Sequence, residues 1–87
     1  MAVKLSPQSI EALEAFASGR MAAREFARWL TVAAYDDDLS EQERDELARV
    51  DLLLHESLEG LRPASEALAV AEELLSLAAA ETQRRSA

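Results

Sequence analysis

The chain contains no cysteine. Disulfides, thiolate metal sites and a cysteine nucleophile are therefore excluded, and the composition fits a reducing compartment. Aromatic residues are also few: only Phe16, Phe26, Trp29 and Tyr35. Much of the apolar content is alanine, so a core has to be built from leucine and closely approached alanine. No apolar run approaches the roughly 20 residues that span a bilayer. The opening MAVKLSPQS lacks the apolar stretch of a signal peptide. No β-run and no internal repeat is visible. The pattern reads as a cytoplasmic, bacterial-type chain.

What is present is enough for one small domain over residues 1–87. Hydrophobic residues make up 49% and charged residues 30%, which supplies a core and excludes a disordered tract. The net charge is −8, and it is unevenly spread. Residues 1–35 sum to +1 and residues 60–87 to −1, whereas residues 36–59 carry ten acids against Arg44 and Arg49. A nucleic-acid backbone would be repelled by such a surface, and a basic protein attracted to it.

Helix signals follow one another along the chain. Ser6 is a candidate N-cap, Pro7 suits the first helical position, and Gly19 sits where a left-handed C-terminal residue belongs. Ile10, Leu13, Phe16 and Ala17 recur at helical spacing. A second helix is expected over 22–35, with Ala23, Phe26, Leu30 and Ala33 on its apolar face and Trp29 alongside. The short link at 18–21 favours an antiparallel hairpin.

A third helix begins at the S-x-x-E capping box of Ser40 and Glu43, in which each side chain bonds the other's backbone N–H. Its seam is Leu47, Val50, Leu54, Leu58 and Leu61, widened by Leu53, with Gly60 as the C-terminal breaker. Pro63 opens a fourth helix at its first turn, or Ser65 caps it one step later. Leu68, Ala71, Leu74, Leu75 and Ala78 form its face. The expectation is an all-α bundle of about four helices with antiparallel neighbours, a shorter first helix and three long ones. Residues 1–5 and 82–87 are expected to fray.

The stretch YDDDLSEQERDEL, residues 35–47, could pass for a calcium loop. Starting at Asp36, however, Glu41 occupies the position that needs Gly, and Leu47 the position that needs a bidentate Glu. It reads instead as a stop for the second helix at Asp36–Asp38 and a capped start for the third. Asp51, His55 and Glu59 lie four apart, yet a single imidazole with two carboxylates on one helix makes a weak metal site. The plainer reading has Asp51 orienting His55 at the seam's edge, or Asp51 bonded to Arg28 or Tyr35. Arg20, Arg24 and Arg28 form a basic stripe, read as a solvated face paired with Glu25 or with the acidic helix of the same chain. No phosphate loop, Ser/His/Asp set or singled-out carboxylate pair is present, so no catalytic or cofactor site is expected.

Phe16-x-Ser18-Gly19-Arg20-Met21-x-x-x-x-Phe26, an acidic loop, Leu39-Ser40-Glu41 and Leu47-x-x-Val50-Asp51 occur in that order. Over about residues 10–77 this order resembles the small immunity proteins of the colicin D type and their relatives in contact-dependent inhibition. It departs from them at Met21 and Ala22, where a capping Ser or Thr is usual, and in the short loop at 60–64. The resemblance implies an all-helical bundle that blocks a basic nuclease toxin, with Asp36, Asp37, Asp38, Glu41, Asp45 and Glu46 as the partner contacts. The expected function is therefore a small acidic module that binds and neutralises a basic protein partner, without catalysis, metal or membrane. The alternative is a self-associating homodimer of regulatory or structural role, formed through the Ala-rich fourth helix and the Trp29/Leu52 side.

Overall fold

The computed structural model describes the backbone of residues 4–86 and the side chains of residues 4–81. Four helices follow in chain order: α1 Pro7–Ala17, α2 Ala23–Ala33, α3 Glu41–Leu58 and α4 Ala64–Ser86. No strand occurs among the described residues. The lengths are 11, 11, 18 and 23 residues. Two helices are thus short and two long, which corrects the expectation of three long ones. The difference lies in α2, which stops at Ala33 rather than at Tyr35. The next residues tighten into a turn, with Tyr35 N–H donating to the Val32 carbonyl and Asp36 N–H to that of Ala33.

The ends of α1 and α3 follow the sequence signals closely. Ser6 caps α1 with Pro7 in the first turn, and the Ser6 hydroxyl accepts from Ser9 N–H. Gly19 and Gly60 have φ of 82° and 80°, a region closed to most side chains. Each closes a Schellman motif. Arg20 N–H bonds the Ala15 carbonyl and Gly19 N–H that of Phe16; Leu61 N–H bonds Glu56 and Gly60 N–H bonds Ser57. Helix α2 has no side-chain cap at Ala22. Pro63 stands directly before α4 and Ser65 lies inside its first turn, so the helix starts between the two expected points.

The helices form a ring, α1 packing on α2 and α4, and α3 on the same two. Ile10 in the first half of α1 lines a cleft with Leu75, Ala78 and Ala79 of α4, while Phe16 and Ala17 at its end line another with Ala64 and Leu68. Those two helices are therefore antiparallel, and short turns reverse the chain at each remaining junction. The core holds Leu13, Phe16, Phe26, Leu30, Leu47, Val50, Leu54 and Leu74, with Ala67, Ala71 and Ala78 letting α4 come close. Phe16 stacks on Phe26 with centroids 4.5 Å apart, and Phe26 on Trp29 at 6.0 Å. Leu5 and Leu39, both just ahead of an N-cap, are also buried. Of the stretches expected to fray, residues 1–3 and 87 and the side chains of 82–86 lie outside the described residues, and α4 is helical to Ser86.

Glu43 is the polar residue on which this arrangement turns. It is only 4% exposed. Ser40 Oγ accepts from Glu43 N–H at 3.1 Å, which is half of the expected capping box. The Glu43 carboxylate is used elsewhere. Its Oε2 accepts the Ser6 backbone N–H and the Ser6 hydroxyl, each at 2.9 Å, and also the Ser9 hydroxyl. The acid at the third position of α3 thus completes the cap of α1. A buried carboxylate is costly without donors; all three are supplied here by the start of α1, and the carboxylate itself stands in the first turn of α3.

Replacing Glu43 by Gln is expected to cost about 2–3 kcal/mol, since the amide oxygen accepts without the carboxylate's charge and the amide N–H groups are buried with no acceptor provided for them. Ser40→Ala, which removes an ordinary cap, is expected to cost about 1 kcal/mol. Urea unfolding of both variants checks the order, and an equal or smaller loss for Glu43→Gln would contradict this role.

Candidate functional site

The six acids singled out in the sequence lie at one end of the bundle, where α2 ends and α3 begins. They do not share one environment. Asp36 is half-buried, and its Oδ1 accepts the Asp38 N–H at 3.0 Å, so it builds the turn that carries its neighbours. Asp37 and Asp38 are exposed at the tip of that turn. Glu41 and Asp45 are exposed on the outer ridge of α3, one turn apart. Glu46 is half-buried and pairs with Arg49 at 3.4 Å.

Asp37, Asp38, Glu41 and Asp45 thus form no ion pair within the chain among the described residues. Glu59 is likewise exposed and forms no ion pair among the described residues, whereas the remaining acids are used locally. Glu43 is in the clamp, Asp51 meets His55, and Glu56 and Glu66 both hold Arg62 where α3 turns into α4. Asp37, Asp38, Glu41 and Asp45 thus remain as a small, solvent-exposed arc without an ion pair among the described residues.

The basic stripe likewise forms no ion pair among the described residues. Arg20 Nε donates to Ser18 Oγ at 2.9 Å, while Arg24 and Arg28 are exposed and pair with neither Glu25 nor α3. The expected intrachain neutralisation does not form. On α2 the bases Arg24 and Arg28 and the acid Glu25 lie in its first half, and Asp36–Asp38 lie beyond its end.

Asp51 pairs with His55 and not with Arg28 or Tyr35. His55 Nδ1 lies 2.9 Å from the Asp51 carbonyl and 3.0 Å from Asp51 Oδ1. The proton on Nδ1 serves the carbonyl, so the buried Oδ1 receives charge attraction without a full hydrogen bond. The carbonyl bond and the Asp51 charge raise the His55 pKa above its usual 6.5, against a small opposing effect of burial. No group of three His, Asp or Glu is arranged to hold a metal ion among the described residues. Three shallow clefts line the bundle, and none gathers more than one titratable side chain. No helix among the described residues is long and apolar enough to cross a membrane.

Trp29 and Leu52 are not equally exposed. Trp29 is half-buried on α2, beside Ala12 and Ala15 of α1, and Leu52 stands 61% exposed on the outer ridge of α3. Two exposed residues escaped the sequence reading as a surface: Tyr35 and Val32. Tyr35 stands at the expected end of the second helix and as a candidate partner of Asp51, although its spacing from Phe26 and Leu30 already puts it off the apolar face.

Compared with protein-family models, with curated proteins and with solved structures, the chain matches none.

The His55 pair yields a pH dependence whose sign is fixed. The folded state favours protonated His55, so its contribution is complete below the unfolded value near 6.5 and is lost as pH rises through the higher folded value. The side chain is 52% exposed, so solvent screening keeps the effect small. His55→Gln is expected to lower the unfolding free energy by about 0.5 kcal/mol or less at about pH 5.5, and to leave it unchanged at about pH 8.5. Chemical denaturation at both pH values measures this, and a loss that grows at the higher pH would refute the pairing.

Proposed function

We propose that the chain is a small protein-binding module that masks a basic protein partner in the cytoplasm, by an immunity or antitoxin type of action. The observation that carries this reading is the exposed arc of Asp37, Asp38, Glu41 and Asp45, which forms no ion pair among the described residues. Like charges held together by a rigid helix start and a tight turn repel one another. A cationic surface relieves that repulsion and gains attraction at long range. A toxin that handles nucleic acid must itself be basic, and an acidic bundle can occupy the place of phosphates. Asp36 and Glu46 contribute to the field, but their first roles are the turn and the Arg49 pair. No step of this action needs a cofactor or a catalytic group.

Self-association is the second reading, favoured by the exposure of Leu52 and Leu61. A net charge of −8 on each copy opposes it. Light scattering of the isolated chain separates the two readings, a stable dimer favouring self-association.

The direct test begins with copurification from the host, followed by identification and purification of the bound chain. That chain is expected to be strongly basic. Joint Asp37→Lys and Asp38→Lys replacement keeps the Asp36 turn and is expected to slow association about tenfold or more at low ionic strength. The loss is expected to shrink toward nothing in about 0.5 M salt. An association rate unchanged at low salt rules out steering by these acids.

A further inference from the structure

Tyr35 is 83% exposed and Val32 is 72% exposed. They lie three residues apart, one turn, at the end of α2, and the Tyr35 ring has no partner among the described residues. Neither side chain contributes to the core. Two large apolar side chains thus stand in water one turn apart, close in sequence to Asp37 and Asp38.

We infer that Tyr35, with Val32 beside it, is the anchor of the docking surface, inserting into an apolar pocket on a basic protein partner. The inference rests on the reading in the preceding subsection and adds to it the residues that hold the complex once formed. Exposed charges mainly steer and set the association rate, whereas a buried aromatic ring sets the dissociation rate. Tyrosine suits this role, because it covers a large area while only two torsions have to be fixed. The partner is specified by charge. Asp37 and Asp38 border the anchor on one side and attract a cationic rim. Arg28, one turn before Val32, borders it on the other side and repels that rim, as does Arg24 a turn further back. A basic partner is therefore confined to the Tyr35 end of α2, with its pocket over the ring and its cations toward the turn.

The test uses the basic chain purified after copurification. Tyr35→Ala, which removes no core contact, is expected to keep the melting temperature, keep the association rate within about twofold, and raise the dissociation rate about 30-fold. Arg28→Ala is expected to leave binding unchanged or to tighten it. Tyr35 is the sole tyrosine, so protein grown with 3-fluorotyrosine gives one 19F resonance, which is expected to shift or broaden when the basic chain is added. An unchanged dissociation rate for Tyr35→Ala, in a complex that does require Asp37 and Asp38, overturns the anchor alone. If no basic chain copurifies, or the acids prove irrelevant to association, the underlying reading fails and the anchor fails with it. A fluorine resonance that moves with the chain's own concentration assigns the patch to a second copy and overturns the proposal.

Discussion

The carboxylate of Glu43 couples the starts of two helices, and the rest of the structure is arranged around that bond. Glu43 stands in the first turn of α3, yet the donors it accepts are the Ser6 N–H, the Ser6 hydroxyl and the Ser9 hydroxyl of α1. Helices α1 and α3 are diagonal in the ring, and their backbones do not come close. Side chains must therefore bridge them. A serine-rich helix start and a glutamate bring together two positive helix ends and one negative charge, which makes burial of that charge tolerable. Because both N-termini meet at one carboxylate, α1 and α3 run in the same direction. With α4 antiparallel to α1, the alternating order of the bundle follows.

The same bond fixes where the remaining acids can go. Glu43 points inward, so the helical period turns Glu41 and Asp45 outward. Leu39 is buried immediately before the cap and holds the turn from below, while Asp36 shapes it from within. Asp37 and Asp38 are what the turn displays. One acidic run thus splits into residues that build and residues that face water, and the division follows from a single buried side chain. Tyr35 and Val32 are carried to the same end because α2 stops at Ala33 and the chain must turn before Leu39 can be buried.

Much of this fold was legible in the sequence, for reasons that differ by element. The caps of α1 and α3 and their glycine exits rest on local chemistry, and local chemistry is what a sequence displays. Phe26, Leu30 and Ala33, or Leu47, Val50 and Leu54, could be placed because helical spacing alone sorts them inward. The seam on α3 was drawn too long. Leu58 and Leu61 keep the period, but α4 begins only a few residues later and leaves them 44% and 70% exposed. Glu43 was assigned to its own helix because the capping box is a local pattern; nothing in one sequence announces that Ser6, 37 residues away, competes for the same oxygen. The exposed acids were visible as a surplus of charge. Which of them stay unpaired depended on the paths of Arg28, Arg49 and His55, and those are set by packing.

The rest of the bundle depends on the coupling of Glu43 to α1. A double-mutant cycle on Glu43→Gln and Ser9→Ala, followed by urea unfolding, measures it directly. If the two side chains act as one clamp, their effects are strongly non-additive, with a coupling of about 1–2 kcal/mol. Additive effects, with a coupling near zero, would mean that Glu43 and Ser9 stabilise their helices independently, and would contradict the account.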